Sequence, residues 1–224
     1  MQYILETERL YLRPFTIDDA NHLFELNNDF DVLKYTSDLP FKSIENAQQF
    51  ISNYIANVYT NSKTGIATKM GRYAVIRKQD GQFLGWCGLK YHKDNRYVDV
   101  GYRFHKKYWN LEYATESASS MINYAFTNLK LPFLVAHTHT ENKASQRVLD
   151  KIGMYKHSNI THDNNSSLLY KIENNDYLIK TITSKETWPV RHPVLRAGRP
   201  IEDVYMDGDN TPTTLHLGLS LIHI

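Results

Sequence analysis

The chain is poor in the features that mark several classes of protein. Its 224 residues include one cysteine, Cys87, so no disulfide can form within the chain, and a reducing, cytoplasmic setting is the expectation. No stretch approaches 18 uninterrupted apolar residues, so no segment reads as a bilayer span and no membrane partner is expected. The opening MQYILETERLYLRP mixes acids with arginines and does not read as a secretory leader. Neither charge is in excess. With 26 basic and 24 acidic residues the net value is +2, which gives no footing for nucleic acid as an obligate partner. Glycine is missing where it would matter. The segment YWNLEYATE, 108–116, joins a strand-like run to a helix-like run, a place where glycine-rich loops hold phosphates, and it contains none.

What is present suits a globular α/β chain, with 42% hydrophobic and 22% charged residues. RLYLRPF (9–15) alternates and predicts a first strand. Thr16 with Asp19 makes a capping pair ahead of Ala20, Leu23, Phe24 and Leu26 at helical spacing. Ser43 can cap a second helix with the stripe Ala47, Phe50, Ile51, Tyr54, Ile55 and Val58, after which 61–71 reads as a polar loop. Two alternating segments flank Asp80-Gly81, a strong hairpin signal, and YVDVGYRF (97–104) predicts a third strand beside them. Gly101 inside that strand predicts a bulge or a close backbone approach. Ala114, Ala118, Met121, Ala125 and Leu129 predict a helix, FLVAHTHT (133–140) a strand, ENKASQRVLDKIG (141–153) a short helix stopped by Gly153, and SLLYKIE (167–173) a last strand. The expected order is strand, two helices, three-strand meander, helix, strand, helix, strand.

DVGYRFHKKYWNLEYATESASSMINYAF (99–126) resembles the central motif of the GNAT acetyltransferases, in the branch of the ribosomal-protein-alanine N-acetyltransferases, through Asp99, Gly101, Tyr102, Trp109, Tyr113, Ala114, Thr115 and Glu116. ENKASQRVLDKIGM (141–154) resembles a second family run through Asn142, Ser145, Lys151 and Gly153, and LETERLYLRPFTIDDA (5–20) is a typical opening. The likeness covers roughly residues 5 to 175. It implies a GNAT fold: a mostly antiparallel central sheet, splayed between two central strands, 97–104 and 133–140, and flanked by helices. It also implies acetyl-CoA as donor substrate, with no metal. Val100, Tyr102 and Phe104 would present the strand to the pantetheine arm, and Trp109, Asn110, Leu111, Glu112, Tyr113, Ala114 and Thr115 would wrap the pyrophosphate. Glu112 falls on the family's loop glycine. A side chain at positive φ is strained by about 1–2 kcal/mol. A carboxylate about 6 Å from a phosphate would weaken binding on the order of 100-fold at an effective dielectric near 20. A swing into solvent, or Lys106 and Lys107, could offset this.

Acetyl transfer to an amine needs a deprotonated amine, a polarised thioester carbonyl and a proton for the leaving thiolate. The resemblance points to Ser145 for the last, because Leu149 stands where many relatives have a tyrosine, and to Asp99 as the strand carboxylate for the first. Asn142 either hydrogen-bonds the pantetheine or caps its helix, and Glu116 reads as a first-turn residue complementing the helix dipole. The resemblance implies that a bulge at Gly101 aims a backbone N–H at the thioester oxygen, and Cys87 reads as a buried strand residue rather than a nucleophile. His137 and His139 share a strand face. Without a third ligand nearby they make no case for a metal site, though a place along the substrate cleft is open to them. The expected activity is transfer of acetyl to a primary amine, a small molecule or a protein N-terminus, by direct attack, with room for a homodimer. The alternative is a weakened acyl-CoA-binding or sensor domain.

The transferase domain is expected to span 1–177. From 178 onward no period is sustained, and Pro189, Pro193, Pro200 and Pro212 account for four of the seven prolines. TWPVRHPVLRAGRP…DNTPTTLHLG resembles the opening of a second, truncated GNAT domain of another branch, so 178–224 is expected to be an appendage.

Overall fold

The structure, a computed structural model, describes residues 3–59, 70–162, 165–175, 177–195, 197–206, 209, 211 and 216–221. The chain divides into two units, Met1–Glu173 and Asn174–Ile224, so the first unit ends slightly before the expected boundary at 177. Most of the loop expected at 61–71 lies outside the described residues.

In the first unit, β1 (Leu5–Glu6) and β2 (Leu10–Arg13) lead through a single 3₁₀ turn to α1 (Ala20–Asn28). Arg13 donates to both Asp19 carboxylate oxygens at 2.7 Å, and the Thr16 N–H donates to Asp19 at 2.8 Å, which joins strand to helix. The short α2 (Phe30–Leu33), capped by Asp29, was not expected. α3 (Ile44–Tyr54) begins at Ser43, whose hydroxyl caps it as anticipated, and runs on as a π turn, Ile55–Tyr59. Next come β3 (Arg72–Arg77), β4 (Phe83–His92) and β5 (Tyr97–Phe104), then α4 (Tyr113–Thr127), β6 (Phe133–His139), α5 (Lys143–Lys151), β7 (Tyr155–His162) and β8 (Asn165–Glu173).

The strands form one eight-stranded sheet in the order β1-β2-β3-β4-β5-β6-β8-β7, antiparallel except between β5 and β6. β7 escaped sequence reading because it is an edge strand: YKHSNITH has no apolar alternation, and most of its described side chains face solvent. One face of the sheet carries the larger core, where Leu89, Val98, Val100, Phe104 and Leu134 meet Ala118, Met121 and Ala125 of α4 and Leu149 of α5. The other face carries a smaller core, where Ala74 and Phe83 meet Leu23 and Leu26 of α1 and Ala47 and Ile51 of α3.

The second unit contains β9 (Tyr177–Ile182), α6 (Ser184–Leu195) and β10 (His216–Leu221), with β9 and β10 pairing as their own antiparallel two-stranded sheet. Its composition hid these elements, since α6 carries Pro189 and Pro193, which disfavour a helix interior.

Candidate active site

β5 and β6 are the two parallel strands of the sheet, and one register pair joins them, Asp99 with Val135. β5 continues to Phe104 fully paired with β4, while β6 runs on to His139 paired with β8. The sheet therefore forks at Asp99. Beyond it the β6-facing edge of β5, residues 100–104, has no strand partner among the described residues. Backbone groups on such an edge are available to an extended ligand.

The fork leads into the glycine-free loop. Asn110 and Glu112 adopt left-handed conformations, with φ of 59° and 64°, so the position aligned with glycine does need positive φ. Glu112 is the N-cap of α4 without a side-chain cap; its carbonyl accepts the Glu116 N–H at 2.9 Å. The Glu112 side chain turns instead to Lys151 of α5 and to Thr115, whose hydroxyl donates at 2.9 Å. These bonds hold its carboxyl below the usual carboxylate range, Lys151 first and Thr115 second. The expected rescue by upstream lysines is not seen for Lys106, which pairs with Asp31. The compensating charge arrives from the next helix.

The loop is braced from three sides. The Trp109 indole N–H donates to Phe104 O at 2.8 Å and pins the loop to the end of β5. Arg9 lies over the Tyr113 ring, 4.6 Å from its centre, and donates to Leu111 O at 3.2 Å. Glu116 accepts from the Thr7 hydroxyl at 2.6 Å, the Arg9 N–H at 2.9 Å and Arg9 Nε at 2.6 Å, so it ties α4 to the β1–β2 turn. That clamp is a larger role than the dipole complement expected of it. Ala114, on the helix's first turn, is half-buried.

On the α4–α5 face the Tyr102 phenol lies 3.1 Å from Ser145 Oγ and donates to Ser145 O at 3.2 Å, bringing together two predicted site residues, one from β5 and one from α5. Burial pushes the Tyr102 phenol up, only partly opposed by Ser145, so it keeps its proton at working pH. Asn142 Oδ1 accepts the Ser145 N–H at 3.1 Å: of the two roles left open, the cap is formed. Val100 and Phe104 bury their side chains in the larger core, leaving their backbone to the edge. Cys87 is fully buried, and burial pushes its thiol up to about 12, as suits a packing residue.

On the opposite face β5 presents Asp99, Gly101 and Arg103. Asp99 is buried, and Arg72 Nη2 donates to both its oxygens at 2.9 Å. Burial alone would raise this carboxyl, but the Arg72 charge and the nearby His92 ring bring it down to about 2. A carboxyl so acidic is a poor proton acceptor, which counts against the role of base that the resemblance suggested for Asp99. Gly101 sits in regular register with Gly88, and the bulge anticipated there is absent. The space left by the missing side chain is taken by the Arg72 guanidinium, which would lie 2.8 Å from a Cβ at 101 and would have to shift.

Histidine placement also departs from expectation. His92 Nε2 lies 3.5 Å from Asp99 Oδ1, too long for a good hydrogen bond, and His137 Nε2 lies 2.9 Å from the Tyr97 hydroxyl. The ligand atoms of His92, Asp99 and His137 lie within 4.8 Å of one another, so a third ligand does exist near His137. Arg72 already holds that carboxylate, and a cation among the three would lie against the guanidinium. His139 is apart, stacked on Tyr35.

Beside this cluster is a 270 Å³ cavity walled by Phe15, Phe41, Phe50, Tyr54 and Trp86, with Arg72 and Arg103 at its polar side. Tyr54 Oη accepts the Arg72 N–H at 2.6 Å, and the Tyr59 hydroxyl donates to Arg72 O. Arg72, Trp86, His92 and Arg103 were missed by sequence reading. The only trace of them is that they occupy alternate strand positions on one face.

A forked sheet that opens onto a helix N-terminus, with a walled cavity on the other face, defines the α/β class to which this chain is assigned. The chain belongs to the GNAT acetyltransferase family: residues 9–155 match the family described as "Acetyltransferase (GNAT) domain". It is 32% identical over 154 residues to the uncharacterized N-acetyltransferase YoaA of Bacillus subtilis, covering 68% of this chain and 83% of that protein. A GNAT-family acetyltransferase of Bacillus anthracis superposes with a TM-score of 0.64 at 26% identity, covering 76% of this chain and 98% of that one. Spermidine N-acetyltransferase of Vibrio cholerae, solved with CoA and spermine, shares the fold at a TM-score of 0.62 and 16% identity, covering 75% of this chain and 97% of that one.

Proposed function

We propose that the chain transfers acetyl from acetyl-CoA to a primary amine by direct attack through the fork, with the acceptor on the face that carries the cavity. The observation that carries this reading is the continuity of fork, loop and helix: the open edge of β5 ends at the α4 N-terminus, and the one misplaced negative charge there is matched by Lys151. The donor supplies an activated thioester. Everything else falls to the chain. Backbone groups of 100–104 align the pantetheine arm, and the first amides of α4 meet the pyrophosphate, with the helix dipole favouring its charge.

Ser145 Oγ is placed to pass a proton to the departing thiolate and regain one from solvent, while the Tyr102 phenol, which keeps its own proton, holds Ser145 in position. Asp99 acts by holding Arg72 rather than by accepting the amine proton. His137, two positions beyond the fork on β6 and hydrogen-bonded to Tyr97, takes the role of base instead, since it stands on the same strand face as the residue that joins the fork. Cytoplasmic residence and an acceptor that is either a small amine or a protein N-terminus belong to the same reading.

The test is calorimetric titration of acetyl-CoA into the natural chain and Glu112→Gly, followed by acetyl transfer to amines. Micromolar binding by the natural chain, with turnover that falls at least tenfold in His137→Gln and survives as a shifted pH profile in Ser145→Ala, is the expected result. No binding until glycine is restored would overturn it in favour of a domain that has kept the fold and lost the donor.

A further inference from the structure

We infer that the acceptor is an amine that also carries a carboxylate, seated on Arg103, with an apolar body against the aromatic walls. This rests on the transferase reading above and names the substrate class of that same site.

The cavity touches the reacting end of the fork through Arg72, which lines it, lies on Gly101 and holds Asp99, the last residue joining β5 to β6. Its charges are unequal in kind. Arg72 and Asp99 form a closed pair, with side chains only 15% and 11% exposed. Arg103 is as deep, at 10% exposure, yet its ionic partner Asp38 is 59% exposed, on the segment between α2 and α3. Among the described residues its other side-chain hydrogen bond is to Asn27 Oδ1 at 2.7 Å, a neutral amide. A buried guanidinium thus faces the cavity with a rim carboxylate as its counter-ion. An incoming carboxylate can replace Asp38, which moves into water where its charge is solvated, and no charge is left buried alone.

A polyamine meets the opposite situation. Its second and third ammonium groups would lie beside two guanidiniums, both stacked over Trp86 at 5.3 and 5.4 Å from the ring centre, with Asp38 the one carboxylate among the lining residues. The rings Phe15, Phe41, Phe50 and Tyr54 supply apolar walls, and 270 Å³ falls just under the range of ligand pockets, roughly 300 to 1,000 Å³, so the acceptor is small. That combination suits an amino acid with an apolar side chain better than a long polycation.

The experiment uses the full chain and matched pairs of acceptors: phenyl-substituted α-, β- and γ-amino acids, the same amines lacking the carboxylate, and spermine. The expected result is a kcat/KM at least about 10-fold higher for one or more carboxylate-bearing members than for their twins, the size of one charge-assisted contact. In Arg103→Gln that ratio should collapse toward one, through KM. Asp38→Asn, a rim change that removes the competing carboxylate, should raise the ratio and so keeps the inference testable should Arg103→Gln fail to fold. Equal twins, a preference for spermine, or an Arg103→Gln loss that falls on both twins alike would overturn the inference. Calorimetry of the same ligands separates it from the reading it rests on. Arg103-dependent binding of the carboxylate twin without turnover supports the acceptor class while the transferase reading fails. Turnover of the decarboxylated twins alone does the reverse.

Discussion

The two faces of β5 are held in different ways. On one, Val98, Val100 and Phe104 are at most 6% exposed and pack into the larger core beneath α4. On the other, Asp99, Gly101 and Arg103 carry one carboxylate and one guanidinium into a space that also holds Arg72 and Trp86. The first is held by buried area and the second, only partly buried, by charge matched to charge. A single strand can therefore anchor the fold and present the site without compromise, because side chains two apart share a face and adjacent ones do not.

The largest effect should come from breaking the charged face. Arg72→Ala leaves Asp99 buried without its counter-ion and should lower stability by about 3–5 kcal/mol in urea denaturation. A loss below 1 kcal/mol would mean that water reaches Asp99. On the apolar face, Leu89→Ala opposite Val100 should cost about 2–5 kcal/mol through transfer and cavity terms. Yet it should leave the ranking of acceptor amines as it was; a changed ranking would show that the two faces are coupled.

The third prediction sharpens the contrast by pH. The Asp99 carboxyl, near 2 in the folded chain against an ordinary 3.8, contributes stability that is complete above pH 4 and is lost as pH falls toward 2. Asp99→Asn should remove about 2 kcal/mol at pH 7 and flatten this acid limb, measured by urea midpoints from pH 7 to 2. An unchanged limb would assign the acid sensitivity to other carboxylates. The smallest structural effect is expected at the exposed pair beyond the fork. Lys151→Ala should barely move the urea midpoint, while weakening acetyl-CoA on the order of 10-fold at low salt and much less at high salt, because it uncovers Glu112. Equal affinity at both salt concentrations would show that the Glu112 charge never reaches the phosphates.

Much of the fold was legible because its signals are local. The Thr16–Asp19 pair, the Ser43 cap, the turn at Asp80-Gly81 and the stripe of α4 each depend on residues within a few positions of one another. β7 was not legible, since an edge strand has no need of an apolar face. The site was readable where it coincides with a run, at 109–116 and 142–145, and unreadable where it is assembled across strands. Residues 72, 86, 92, 103 and 137 have no spacing in common and meet only when β3, β4, β5 and β6 lie side by side.

By itself the sequence determined the periodicities, the caps, the family and the anomaly at Glu112. Tertiary structure alone decided how that anomaly is resolved, with Lys151 supplying the charge that Lys106 does not. It also decided that Asp99 belongs to Arg72, and that Gly101 makes room for a guanidinium rather than a bulge. The physical reason is range. Backbone propensity and side-chain alternation act between near neighbours in the chain, whereas a charge is neutralised by whatever the packed fold brings within a few ångströms, however far away in sequence it began.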